Sequence, residues 1–164
     1  EQAAAYVGRV AEAKGAALAS KAQGRVVVAA DTVVVVEGRI LGKPANDEQA
    51  AGMLRLLSGR RHEVMTAVTV IDGQARRPAP TSDAVGAPPP GRPRTKVATT
   101  AVEFVPLSED DIVWYVASGE PRDKAGAYAI QGLASRFVTR IEGSYSNVVG
   151  LPVALVSGML KALS

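Results

Sequence analysis

The longest apolar pattern runs from Val26 to Val36, where valine and alanine fill every position except Asp31 and Thr32. Continuous β-branched residues predict a strand covered on both faces, the usual state inside an α/β sheet. Glu37-Gly38-Arg39 predicts a tight turn and Ile40-Leu41 a short returning strand, before Gly42-Lys43-Pro44 breaks the pattern. Upstream, residues 3–20 read as an alanine-rich helix, with Val7, Val10, Lys14 and Leu18 spaced to share one face. A lysine thus stands within an apolar stripe. Downstream, Asn46 caps a predicted helix, with Gln49 at the capping-box position. Ala50, Met53, Leu54 and Leu57 form its buried stripe, and Ser58-Gly59 ends it.

Two longer strands are predicted from His62 to Ile71 and from Lys96 to Val105. Between them, residues 73–95 are rich in proline, glycine and arginine and read as a long surface loop, an insertion into a single domain covering 1–164. Ser108, with Asp111 at the capping-box position, opens a helix whose inner face is Ile112, Tyr115 and Val116. After the charged turn Gly119–Gly126, short strands are predicted at Ala127–Gly132 and Phe137–Ile141. Gly143–Gly150 is a predicted loop, and Pro152 starts a last helix. The fold class is α/β, with a mixed, elongated and twisted sheet flanked by helices.

Composition narrows the function classes. At 47% hydrophobic and 21% charged residues, the 164-residue chain has enough apolar material for a real core. It has no cysteine, which excludes a disulfide scaffold, a thiolate metal site and a cysteine nucleophile, and agrees with a reducing cytosol. No segment supplies the about 18 to 20 apolar residues needed to span a bilayer. Residues 1–6 carry no secretory signature, so a cytoplasmic protein is expected. The net charge is +3. Much of the basic excess lies in Arg76, Arg77, Arg92, Arg94 and Lys96, a solvated loop or a phosphate-binding patch. Aromatic residues are only 4%, too few for the stacking platforms of a single-strand binder, and no nucleic-acid partner is expected.

Asp31-Thr32 is the most informative pair. An unpaired carboxylate buried in such a strand costs several kcal/mol, so Asp31 needs a cation, a metal or a site open to water. The structural alternative is a bulge or strand end with Asp31 bonded to backbone N–H groups. Lys43, between a glycine and a proline, has a stiff backbone suited to aiming an ammonium at phosphate oxygens, although such a lysine is also common on surfaces. Lys14 either points into a cleft or snorkels from the edge of its stripe. Asp123-Lys124 is a charged turn, and Gln131-Gly132 an amide able to read a base edge or a simple turn. There is no Walker phosphate loop and no G-x-G-x-x-G fingerprint. His62 is the single histidine, which excludes a His-rich zinc site, and its place between Arg61 and Glu63 argues against a Ser-His-Asp triad.

Five blocks, in order, resemble the Maf-like nucleotide pyrophosphatases. They are Ala30-Asp31-Thr32-Val33-Val34, Gly42-Lys43-Pro44, Leu57-Ser58-Gly59 with His62–Thr66, Asp123–Gly132, and Gly143–Pro152. The resemblance implies a Maf/ITPase-like fold and hydrolysis of a nucleoside triphosphate to the monophosphate and pyrophosphate, with magnesium or manganese. It implies that Asp31 is the catalytic carboxylate, accepting a proton from water or helping to hold the metal. It places Lys14, Lys43 and Lys124 in the phosphate cleft, beside Asp123, and Thr32 and Gln131 at positions of base selection. The Ile130-Gln131-Gly132 form is similar to the branch acting on dTTP and UTP; an acidic residue at the Gln131 position marks the N7-methyl-GTP branch. Family members are often dimers, so a homodimer is implied. A non-catalytic role in septum formation through protein contacts is the rival reading. The family's opening strand, its Ser-x-Ser-Pro-Arg-Arg phosphate grip and the following Glu-Thr segment have no counterpart here. The chain has no initiator methionine and opens inside a predicted helix, so a missing N-terminal strand is expected, and with it weak or absent catalysis by this chain alone.

Overall fold

The structure, a computed structural model, describes residues 1–19, 21–22, 24–73 and 91–163. Among these residues five strands make one sheet in the order β2-β1-β3-β4-β5. They are β1 (Val27–Val36), β2 (Arg39–Leu41), β3 (Arg61–Ile71), β4 (Arg94–Phe104) and β5 (Val138–Glu142). Every pairing among them is antiparallel. Among the described residues five α-helices accompany the sheet: α1 (Ala3–Ala19), α2 (Asp47–Leu57), α3 (Glu109–Ala117), α4 (Tyr145–Val149) and α5 (Val153–Lys161). The α/β class and the flanking helices follow the sequence reading; the mixed sheet expected from the sequence is, among the described residues, antiparallel throughout.

Strand alternation sends successive side chains to opposite faces, and this sorts the core. On one face Val33 and Ala67 meet Val7 and Ala11 of α1. Gly15 lets α1 come close, since a Cβ there would lie 3.2 Å from Ile71 Cδ1. The buried stripe of α1 is Val7, Ala11 and Gly15, one position away from the predicted face, because the small residues give the tightest helix–sheet approach. Lys14 consequently lies at the stripe's edge. The opposite face carries the largest cluster: Val34, Val36, Val64, Val102 and Phe104 against Leu54 and Leu57 of α2 and Ile112 and Tyr115 of α3. Further along that face, Val68 and Val70 pack on Met159 of α5.

The predicted caps hold. Asn46 accepts from the Gln49 backbone N–H, and Ser108 and Asp111 form a reciprocal capping box. Glu37 and Gly38 take φ of 48° and 74°, the left-handed pair of a two-residue hairpin turn. Three predictions change. Ala127–Gly132 is not a strand but a tight 3-10 turn and its continuation, because Gly126 and Ala127 both adopt left-handed φ. Gly143–Gly150 is not all loop: Ser144 caps the five-residue α4. The loop predicted at 73–95 ends in strand, with Arg94 and Thr95 paired in β4 to Val70 and Thr69; residues 74–90, including Arg76 and Arg77, lie outside the described residues.

Candidate active site

The outer edge of β1 is only partly covered, since β2 pairs with Val34–Val36 alone. Asp31 and Thr32 sit just beyond that cover, so a cavity at this edge reaches residues from both faces of the sheet. It has a volume of about 320 Å³, within the range of small-molecule sites.

Four other stretches close it. Lys14 of α1 reaches over the edge, its Nζ 2.5 Å from Asp31 Oδ1 and 3.5 Å from the Ala30 carbonyl oxygen. The Asp31 side chain is only 18% exposed, so a bare carboxylate would be costly there, and the ammonium offsets that cost. The β2 strand delivers Lys43, and the Gly126 N–H donates to the Gly42 carbonyl at 3.0 Å, drawing the turn with Asp123 and Lys124 alongside. Lys43 Nζ stands 3.8 Å from Asp123 Oδ1, an exposed pair that leaves both groups wet. A Cβ on Gly126 would lie 2.7 Å from Val34 Cγ2, so only glycine permits this approach. The turn itself is held in sparsely populated backbone, with Asp123 at φ 63° and Ala127 at φ 62°.

Beyond the turn, Tyr128, Ile130 and Gln131 continue the wall. Burial pushes the Tyr128 phenol above its usual range, and its hydroxyl meets His62 Nε2 at 2.9 Å. On the same sheet face as Val34 and Val64, Thr32 Oγ1 lies 2.9 Å from Thr66 Oγ1 and donates to the Gly150 carbonyl at 3.3 Å. Asn147, fully buried in α4, donates through Nδ2 to the Val64 carbonyl at 3.0 Å and to Thr100 Oγ1 at 2.9 Å. That anchor fixes Val148, Val149 and Gly150 against the cavity.

A profile described as "Maf-like protein" matches residues 1–163. This chain belongs to the Maf-like family. A dTTP/UTP pyrophosphatase of Anaeromyxobacter sp. (strain Fw109-5) is 49% identical over 161 residues, covering 98% of this chain and 71% of its own length. Proteins of the same name from Pelotomaculum thermopropionicum and Shewanella denitrificans are 46% and 44% identical, covering 90% and 97% of this chain and 70% and 73% of their own.

In this Maf-like chain all seven residues singled out from the sequence line the one cavity: Asp31, Lys43, Thr32, Gln131, Lys14, Asp123 and Lys124. Among the described residues the Asp31 side chain meets no backbone N–H group, contrary to the structural alternative; its partner is Lys14. Sequence reasoning passed over Tyr128, Asn147 and Glu120. For Asn147 a signal existed, because Ser144 three residues earlier is a helix cap and an asparagine inside the first turn is out of place unless its amide has work in the interior. Among the described residues no group of three or more histidines, cysteines or acidic residues is arranged to hold a metal. The cavity's carboxylates are Asp31 and Asp123. That donor set fits a hard divalent ion of the magnesium kind, which takes one or two carboxylates and completes its shell with phosphate oxygens and water.

Proposed function

We propose that this Maf-like chain is a nucleoside triphosphate pyrophosphatase acting on dTTP and UTP, giving the monophosphate and pyrophosphate. The observation that carries the reading is the convergence of Asp31 with Lys14, Lys43 and Lys124 in one cavity at the open edge of β1, in a chain whose relatives bear that name. Attack on a triphosphate asks for positioning and charge neutralisation more than for covalent help from the protein.

In this reading Asp31 accepts a proton from a water molecule that adds to the α-phosphorus. The bond from that phosphorus to the α–β bridging oxygen breaks, and pyrophosphate leaves with the bridging oxygen. Lys43 and Lys124, both exposed to the cavity, hold the β- and γ-phosphates. Lys14 keeps the Asp31 carboxylate aimed along the strand edge. A magnesium or manganese ion held by Asp31 would neutralise charge developing on the phosphate oxygens. Thr32 and Gln131 face the base, and the Gln131 amide can give and accept hydrogen bonds on a uracil or thymine edge at once. The cytoplasm, where such triphosphates are made and used, is the compartment this reading assigns. Within it a homodimer is checked by sedimentation at twice the chain mass.

The test is pyrophosphate release from dTTP, UTP, CTP and N7-methyl-GTP with magnesium or manganese, for the chain, for a version extended upstream with a family-type opening strand, and for Asp31→Asn in each. Turnover of dTTP and UTP that falls by a factor on the order of 10²–10⁴ in Asp31→Asn is expected, the range for removing a general base. Turnover that survives Asp31→Asn, or preference for N7-methyl-GTP, would falsify the reading.

A further inference from the structure

The cavity wall that carries Gln131 is held from behind by two side chains that do not enter the cavity. Tyr115, fully buried in α3, accepts a hydrogen bond from the Ala129 backbone N–H at 3.1 Å. Glu120 stands three residues past the end of α3. Glu120 Oε1 accepts from the Leu133 N–H at 2.9 Å and Oε2 from the Ala134 N–H at 3.2 Å. Glu120 is itself fixed, its N–H donating to Ser118 Oγ at 3.2 Å.

Three backbone N–H groups are thus fastened on either side of Gln131: one two residues before it, the others two and three residues after. Gly132 belongs to the same device. A Cβ there would stand 1.8 Å from Glu120 Oε1, so the carboxylate occupies the space a side chain would need. Among the described residues the Gln131 side chain has no hydrogen-bond partner of its own, and it is exposed at the cavity. What the surroundings fix is therefore the backbone from which the Gln131 side chain starts.

We propose that Glu120, together with Tyr115, is a positioning residue for base recognition: the two hold the Gln131 backbone at the depth from which its amide meets the nucleotide base. The proposal rests on the nucleotide reading of the cavity. A carboxylate is the right group for the task. It accepts two N–H bonds at once and carries charge, which strengthens both, whereas a neutral amide of the same shape turns an NH₂ towards one of the donors. A base contact depends steeply on placement, and a supporting group that lets the contact drift loses most of its value.

The experiment is a double-mutant cycle on binding, measured calorimetrically in the Asp31→Asn background so that no nucleotide is consumed. The ligands are dTTP and, as a probe without a base, inorganic tripolyphosphate. Glu120→Gln and Gln131→Ala should each weaken dTTP binding by about tenfold, and the two together no more than either alone, because they remove one contact. Tripolyphosphate affinity should stay within about twofold throughout. Additive losses of dTTP affinity, an equal loss of tripolyphosphate, or no loss with Glu120→Gln would each overturn the proposal, as would absence of dTTP binding. If Glu120→Gln melts below the assay temperature, Tyr115→Phe carries the same cycle with the same expectations. The outcomes separate from the activity reading: dTTP binding with this pattern but no hydrolysis by the native chain sinks the enzyme reading alone, whereas hydrolysis with an additive cycle sinks the positioning role alone.

Discussion

His62 is buried against Phe104 and Tyr128, with ring centroids 4.9 and 5.5 Å away at nearly right angles. Removal from water pushes its pKa down from 6.5 to about 4. Between these values the unfolded chain binds a proton that the folded chain refuses, so stability is complete above about pH 6.5 and falls as pH drops towards 4. The loss through this one ring amounts to about 3 kcal/mol at most, from the pKa difference. Urea unfolding at pH 7 and pH 4.5 should show a larger drop for the native chain than for His62→Gln; equal drops would remove His62 as the cause. From the sequence, His62 was legible only by exclusion, as the wrong residue for zinc or a triad. Its partner Tyr128 comes from a segment 66 residues away, and no local pattern announces such a pair.

At the scale of elements, whatever depends on neighbours along the chain was readable. The β1–β2 hairpin, the Asn46 and Ser108 caps and the stripe of α2 all follow from residues within a turn or two of each other. The segment from Asp123 to Gly132 was not, because its path is dictated from outside: the Gly42 carbonyl pulls on Gly126, and Tyr115 and Glu120 hold the rest. Alternating Ala127-Tyr128-Ala129-Ile130 mimics a strand but is bent by left-handed backbone at 126 and 127. Gly126→Ala should therefore be costly. It needs φ of 67° and puts a methyl 2.7 Å from Val34, and overpacking together with the φ penalty predicts a loss of about 2–4 kcal/mol. Thermal unfolding checks this, and a melting temperature within a degree or two of the native chain would contradict it. The lysine-bearing turn moves with Gly126, so turnover should fall even at temperatures where Gly126→Ala remains folded.

For the whole molecule, the modest net charge of +3 conceals a local concentration of lysines around one opening. Lys14 and Lys43 are 52% and 67% exposed, and interactions at such positions are screened over about 8 Å at physiological salt. Raising sodium chloride from 0.05 to 0.5 M should lower kcat/KM for a triphosphate by about tenfold, mostly through KM; a flat salt profile would mean that the lysines do not steer the substrate. The membership of the cavity was legible residue by residue, while its shape was not, since the open edge of β1 follows from the length of β2 and not from any single motif. The cavity's walls come from residue 14 at one extreme and residue 150 at the other, so no fragment of the chain holds a part of the site that works alone. A nucleotide seated there fastens α1 to α4 across the sheet and is lost whenever either detaches. Bound ligand at a hundred times its Kd then adds about 2.7 kcal/mol to global unfolding, which makes the substrate a clamp on the fold that encloses it.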